Sequence, residues 1–219
     1  MLCSFNYLSL LLQKHKTFYL GSCHNYNHLK KDFFQQAGIL PEHKILLFMG
    51  RVHPVKGLEH LLNAWTGIYE KFSDWRLVIV GPDEVGFLSK LQSMISNESS
   101  NVFFLDSIYG EKRWIAYANA DLFVAPSDFE NFGQSIAEAL SAGVPVITTI
   151  GTPWKELKEK NCGWWIDPTP KSIANALQQA MSLSDSERKA KGKVGKNIVE
   201  QYLPNIIAEK MCILYSNCA

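Results

Sequence analysis

The sequence predicts an α/β fold in which a parallel β-sheet is covered by helices on both faces. Two observations predict it. From residue 44 onward, short apolar runs alternate with segments of helical periodicity, an alternation typical of consecutive β-α-β units. The runs are apolar at nearly every position rather than at every second one, as expected of strands that are buried on both sides.

Six runs predict the strands of this sheet. Each is a short, compact apolar run, which is typical of a buried strand. In chain order they are Ile45–Gly50, Arg76–Gly81, Val102–Leu105, Asp121–Ser127, Val144–Thr149 and Gly163–Ile166.

The segments between these runs predict helices. Apolar residues recur at helical spacing between the first two runs, for example at Leu58, Leu61 and Trp65, so one face of a helix would cover the sheet. The helices predicted are Gly57–Tyr69, Phe87–Ile95, Glu111–Ala118, Ser135–Ala142, Pro153–Lys160, Pro170–Ser182 and Asp185–Tyr202. The apolar tail from residue 204 onward is also expected to be helical.

Composition narrows the class of protein. Of 219 residues 47% are apolar, enough for the core of one domain with extensions and too many for a disordered chain. The 22 Lys and Arg residues balance 21 Asp and Glu residues, so the basic surplus of a nucleic-acid-binding protein is absent. A basic stretch between Arg188 and Lys196 is interpreted as a solvated helix face.

The cysteines and the N-terminal segment bear on the compartment. The five cysteines show no paired short spacing, which favours reduced thiols in a cytosolic protein over disulfides. Residues 1–12 are apolar, but they are too few to span a bilayer and lack the features of a signal peptide. We therefore expect a cytoplasmic protein, and peripheral contact with the inner face of a membrane is left open.

The segment from Asp128 to Ile147 contains the strongest functional signal. Glu130 and Glu138 are eight positions apart around an Asn-Phe-Gly turn. If Glu130 lies in the loop and Glu138 just inside the following helix, both carboxylates can reach one ligand beside the free N–H groups of the helix start. Amides there suit phosphate and carboxylates suit hydroxyls, so the segment predicts a nucleotide-sugar site.

Three other loops are expected at the same edge of the sheet. Arg51 and Lys56 flank the loop after the first strand and can clamp a diphosphate; the alternative is two solvated cations. Gly81 would give backbone clearance near a base or ribose, and Pro82 excludes a dinucleotide-binding glycine turn. Ile108 after the third strand would pack on a base or, equally, on the core.

Together these residues resemble the retaining GT-B glycosyltransferases of the "glycosyl transferases group 1" family. The loop GRVHPVKG resembles the family's G-R-x-x-x-x-K-G loop, FENFGQSIAEALSAGVPVI its E-x7-E segment, and ANADLFVAPS the run that precedes that segment. The resemblance covers about Lys44 to Ser182 and implies the Rossmann-like C-terminal domain of a GT-B fold.

The resemblance also implies roles for individual residues. Arg51 and Lys56 would bind the donor diphosphate, and Glu130 the hydroxyls of the donor sugar; these three are the expected catalytic residues. Glu138 would bind the ribose hydroxyls. The amides around Phe132, Gly133 and Gln134 would contact sugar and phosphate.

The reaction implied is transfer of a hexose, with retention of configuration, from a UDP-, GDP- or ADP-linked sugar to a glycan or lipid-linked acceptor. Polysaccharide, lipopolysaccharide or other glycan synthesis is the expected setting. No metal or other cofactor is expected, because the cations and the helix dipole offset the charge of the leaving diphosphate.

The resemblance does not include the acceptor-binding N-terminal domain of such enzymes. We divide the chain into an N-terminal extension (1–43) expected to be a remnant of that domain, a nucleotide-sugar-binding domain (44–203) and a tail (204–219). We therefore expect a truncated or split enzyme with little activity alone. One alternative is a non-catalytic donor-binding subunit that needs a separate acceptor-domain chain.

A further alternative is a different enzyme of the same architecture, such as a sugar-nucleotide epimerase or a phosphorylase. The Glu130/Glu138 spacing disfavours the epimerase. A phosphorylase should carry a lysine for pyridoxal phosphate, and no position in the sequence stands out for that role.

Overall fold

The computed structural model describes residues 33–95, 101–202 and 204–217. Within them, six strands form one sheet in the order β3-β2-β1-β4-β5-β6, and all neighbouring strands are parallel. The strands are β1 Lys44–Met49, β2 Trp75–Val80, β3 Val102–Leu105, β4 Leu122–Ala125, β5 Val146–Thr149 and β6 Trp164–Ile166. The predicted α/β fold is confirmed; the predicted N-terminal remnant lies largely outside the described residues.

Helices connect the strands and close the domain, close to where the periodicity predicts them. They are α1 Leu58–Thr66, α2 Leu88–Ser93, α3 Glu111–Asn119, α4 Gln134–Ser141, α5 Glu156–Glu159, α6 Pro170–Met181, α7 Asp185–Val199 and α8 Pro204–Asn217. Helix α7 ends three residues before the predicted boundary, and a 3-10 turn continues the chain to Tyr202. None of the described helices is long and apolar enough to cross a bilayer.

The sheet has an apolar core on each face. Alternate residues of β1 point to opposite sides: Leu46 and Phe48 pack with α1 and α6, whereas Leu47 and Met49 pack with α3 and α4. All four side chains are buried. This two-sided burial explains why the strands are apolar at nearly every position.

The strand order places a topological switch point between β1 and β4. Helix α1, which follows β1, covers one face of the sheet, and α4, which follows β4, covers the other. The loops that leave these two neighbouring strands therefore diverge, and a crevice opens between them at the carboxyl edge of the sheet. Ligands of open α/β sheets bind in this crevice.

The interpretation of the basic stretch as a solvated face is wrong for Arg188. Arg188 is only 2% exposed, and its guanidinium lies over the Trp75 ring, 5.0 Å from the ring centroid. The guanidinium also donates to the Asp185 carboxylate and to the Leu183 carbonyl. Arg188 lies on the side of α7 that faces the domain. A planar guanidinium stacks on an aromatic ring there, while Lys189 remains exposed.

Candidate functional site

The structure brings two of the predicted ligand-binding residues into contact at the switch point. Lys56, at the end of a short 3-10 turn after β1, donates from Nζ to Oε1 of Glu130, in the loop after β4. Ser127 Oγ donates to the same oxygen over 3.2 Å. The Lys56 and Glu130 side chains are 16% and 19% exposed, so the ion pair is partly shielded from solvent and still reachable from the crevice.

Backbone contacts hold the two loops together. Gly57 has a φ of +67°, and a Cβ atom there would lie 2.1 Å from the Pro126 carbonyl oxygen. The Asp128 N–H donates to the Val55 carbonyl over 2.9 Å. The missing side chain of Gly57 therefore lets the loop after β4 approach the loop after β1.

Arg51 lies at the same edge but turns toward the loop after β2. Its Nη1 donates to Glu84 Oε2 over 2.9 Å, and both side chains are about half exposed. Exposed ion pairs contribute little stability and break readily. The structure does not bring Arg51 into contact with Lys56 or Glu130, and its role at a diphosphate stays a prediction.

The other two predicted contacts have protein neighbours. A Cβ atom at Gly81, where φ is +155°, would lie 1.7 Å from the Gly50 carbonyl oxygen, so the clearance serves the approach of the two loops. Ile108 is partly buried against the core on the α3 side of the sheet. Contacts of Gly81 and Ile108 with a base or ribose stay predictions.

No described side chain caps the start of helix α4. Gly133 is the N-cap residue, in a left-handed conformation. The Ile136 N–H donates to the Gly133 carbonyl over 2.9 Å, whereas the N–H of Gln134, at the first helical position, can bind an anion. Phe132 is held beside this start, because its carbonyl accepts from the Trp154 indole and its ring packs against Trp154 and Tyr202, each at 5.4 Å between centroids.

Glu138 lies one turn inside α4, as the sequence predicted, and is only 4% exposed. In the described part of the chain, two side chains donate to its carboxylate and a third forms an ion pair with it. Tyr117 Oη donates to Oε2 over 2.9 Å, while Gln134 Nε2 and Arg113 Nη2 lie 3.1 and 3.2 Å from Oε1. The sequence interpretation missed Arg113 and Tyr117, although their i, i+4 spacing on a predicted helix placed them on one face.

The opposite, amino edge of the sheet holds a cavity of about 340 Å³ whose lining includes Gly143 and Asp121. Burial raises the pKa of Asp121, although the Ile45 N–H donates to its carboxylate over 2.8 Å. This cavity is remote from the switch-point loops. Within residues 33–95, 101–202 and 204–217, no three His, Cys, Asp or Glu side chains gather as metal ligands.

Comparison with known proteins identifies the family. The pattern of the family "Glycosyl transferases group 1" matches residues 30–197, and the chain belongs to that family, as the motifs predicted. An uncharacterized glycosyltransferase of Methanocaldococcus jannaschii is 30% identical over 85% of this chain and 48% of its own length. A phosphatidyl-myo-inositol mannosyltransferase of Mycobacterium leprae is 29% identical over 84% of this chain and 50% of its own length.

Solved structures share the fold. Anabaena HepE in complex with UDP and glucose superposes with a TM-score of 0.73 at 19% identity, over 86% of this chain and 52% of that one. The C-terminal domain of a glycosyl transferase group 1 protein (LpcC) from Francisella tularensis gives a TM-score of 0.67 at 22% identity and is covered over 91% of its length. The chain thus spans about half the length of the curated relatives it matches.

Proposed function

We propose that this chain binds a nucleotide-diphosphate sugar and that the protein containing it transfers the sugar to an acceptor with retention of configuration. The observation on which the proposal depends is the contact between Lys56 and Glu130 across the switch point. It joins a cation suited to a diphosphate with a carboxylate suited to sugar hydroxyls, in the crevice where such folds bind ligands.

The ion pair gives the site a defined exchange on binding. A diphosphate presents more negative charge to the Lys56 ammonium than one carboxylate does, so it competes with Glu130 for that ammonium. Glu130 Oε1 then becomes available to a sugar hydroxyl. Arg51 and the open start of α4 supply further positive charge, which offsets the charge that develops on the leaving diphosphate without a metal.

The relatives support the substrate class without fixing it. HepE holds UDP and glucose in its crystal structure, and the mycobacterial relative is named a mannosyltransferase that acts on phosphatidyl-myo-inositol. We propose a UDP-, GDP- or ADP-linked hexose as donor and a glycan or lipid-linked acceptor. Five cysteines without paired spacing support a cytoplasmic setting, at the membrane surface if the acceptor is a lipid.

Calorimetric titration of the folded chain with UDP-, GDP- and ADP-sugars tests the proposal. One of them should bind, and Lys56→Gln should weaken that binding roughly tenfold or more, because a charge-assisted contact to the diphosphate is lost. Lys90→Gln is the matched control, since it removes an exposed lysine that pairs with Glu59. Absence of binding to all three donors, or equal losses in the two variants, would contradict the proposal.

Glu130→Gln tests the sugar contact separately. The variant keeps the shape of the side chain but removes the charge that competes for Lys56. We expect it to bind the sugar-linked nucleotide more weakly and the sugar-free nucleoside diphosphate as well as or better than the wild type. Glu159→Gln, on an exposed face of α5, should change neither affinity; unchanged discrimination in Glu130→Gln would remove Glu130 from the sugar site.

A second candidate function is a donor-binding subunit that needs a separate acceptor-binding chain. Helix α8 favours it, because Ile207, Met211 and Leu214 are 37%, 47% and 64% exposed at the spacing of one helix face. Sugar transfer should then require mixing with that second chain. Met211→Lys should abolish it, whereas Glu209→Lys on another face of α8 should not; full transfer by the single chain would exclude this function.

A further inference from the structure

The carboxyl group of Glu138 is buried and already held by other side chains. An ionised carboxylate is costly to bury unless donors of good geometry satisfy it. Here Tyr117 donates to one oxygen, Gln134 donates to the other, and Arg113 forms an ion pair with that second oxygen. A carboxylate has about four lone-pair sites, so these partners leave an acceptor site on the oxygen that Tyr117 contacts.

The three side chains differ in how firmly they are held. Tyr117 is fully buried and packs against Phe123 and Trp114, with ring centroids 5.6 and 6.0 Å away, so its hydroxyl has a fixed position. The Arg113 side chain is 31% exposed and its guanidinium lies 5.6 Å from the Trp114 centroid. Gln134 is exposed, and its amide can leave when a ligand arrives.

The elements that supply these groups converge at the carboxyl edge of the sheet. Arg113 lies in the first turn of α3, directly after the loop that leaves β3, and Glu138 lies one turn inside α4. Both helices cover the same face of the sheet. The cluster therefore extends from the core, where Tyr117 is fully buried, to the partly exposed Arg113 at the carboxyl edge.

We propose that Tyr117 and Arg113 are positioning residues that fix the Glu138 carboxylate for the vicinal hydroxyls of a ribose, and that they thereby make the site select ribonucleotides. The inference rests on the proposed function, because it assumes that a nucleotide enters the crevice. Tyr117 fixes the plane of the carboxylate through Oε2. Arg113 orients the group through its ion pair with Oε1, while the remaining acceptor site and the one released by Gln134 accept the two hydroxyls.

A merely structural cluster would give a different result from a positioning cluster. If Tyr117 and Arg113 only join α3 to α4, their loss should weaken binding of every nucleotide alike, in proportion to lost stability. If they orient Glu138, their loss should affect only nucleotides that carry ribose hydroxyls. The ratio of affinities for a ribonucleotide and its 2′,3′-dideoxy analogue separates the two cases.

The experiment measures that ratio for the full chain by calorimetry. UDP, GDP and ADP are titrated first, and the tightest of them is compared with its 2′,3′-dideoxy analogue. In Tyr117→Phe, which keeps the ring and removes the hydroxyl, affinity for the ribonucleotide should fall roughly tenfold, as expected for a hydrogen bond to a charged group. Affinity for the dideoxy analogue should change less than about twofold.

Two further comparisons keep the test decisive. Tyr109→Phe removes a hydroxyl from an exposed tyrosine in the loop before α3 and should leave both affinities unchanged. At the partly exposed Arg113, Arg113→Gln should lower the ratio and Arg113→Lys should restore part of it, because the lysine retains the charge. If Tyr117→Phe does not fold, the comparison of Arg113→Gln with Arg113→Lys still tests the inference.

The outcomes separate failure of nucleotide binding from failure of the positioning role of Tyr117 and Arg113. If the folded wild type binds none of the three nucleotides, the proposed function fails and the inference fails with it. If the wild type binds but does not discriminate against the dideoxy analogue, or if Tyr117→Phe and Arg113→Gln weaken both ligands equally, the inference alone is overturned.

Discussion

Gly57→Ala tests whether the loops after β1 and β4 are held together by their backbones. Gly57 has a φ of +67°, and an added Cβ atom would lie 2.1 Å from the Pro126 carbonyl oxygen. Since ordinary contacts begin at 3.4 Å, the two loops must separate by about 1 Å or more. Gly143→Ala is the matched control: its φ is +74° and nothing lies within 4 Å of the added atom.

The expected magnitudes follow from these two geometries. A left-handed conformation costs an alanine about 1–2 kcal/mol, and both variants lose that amount. Forcing extra volume into a packed contact adds roughly 1–3 kcal/mol, and only Gly57→Ala meets this term. The free energy of unfolding should therefore fall by about 1–2 kcal/mol in Gly143→Ala and by roughly 2–5 kcal/mol in Gly57→Ala.

Urea unfolding measures both losses, and an unchanged m-value ensures that the free energies are comparable. Separation of the loops should also pull Lys56 away from Glu130, so the folded fraction of Gly57→Ala should bind a nucleoside diphosphate more weakly. Gly143, which precedes β5 at the other edge of the sheet, should not affect binding. Equal destabilisation by the two substitutions would refute the proposed contact between the loops.

Three further predictions concern stability. Burial raises the pKa of Asp121, so the folded state binds the proton of this carboxyl group more tightly than the unfolded state does. The free energy of unfolding of the wild type should therefore fall, relative to that of Asp121→Asn, as the pH rises from below the ordinary pKa of an aspartate through the raised pKa of Asp121. Gly192→Ala should destabilise the fold by roughly 1–3 kcal/mol, because the added Cβ atom would lie 1.8 Å from the Gly143 carbonyl oxygen. Its control is Gly195→Ala, whose added Cβ atom meets only the end of the Leu140 side chain, so stability should change by less than about 1 kcal/mol. Ser184→Ala should cost about 1 kcal/mol through loss of the capping box of α7. Urea titrations, repeated across pH for the first pair, check all three.

The sheet was predictable because its signal is local. Runs such as Ile45–Gly50 are apolar throughout, and burial on both faces requires this pattern of the central strands. Helix boundaries were less accurate: the predicted helix at Pro153–Lys160 is only Glu156–Glu159 in the structure. The preceding residues form a bend in which Trp154 is buried, and tertiary packing of that indole is not visible in local periodicity.

The placement of the candidate-site residues was predictable where these residues share one short segment. Glu130 in the loop and Glu138 inside α4 follow from their spacing and from the glycine that begins the helix. The partners of these carboxylates come from distant parts of the sequence, Lys56 for the first and Tyr117 for the second. Sequence spacing does not reveal such pairs, since they depend on which loops the strand order makes neighbours.

The charges of the candidate site are balanced before any ligand arrives. Each cation of the site forms an ion pair with a carboxylate: Lys56 with Glu130, Arg51 with Glu84, and Arg113 with Glu138. These three pairs carry no net charge, and the net charge of the whole chain is also close to zero. On the proposed function, a diphosphate would exchange with these partners, and its net gain would be smaller than the sum of its contacts. The exposed pair of Arg51 would exchange at less cost than the shielded pair of Lys56. A sugar hydroxyl would give Glu130 a new partner, so we expect a sugar-linked diphosphate to bind more tightly than the nucleoside diphosphate alone.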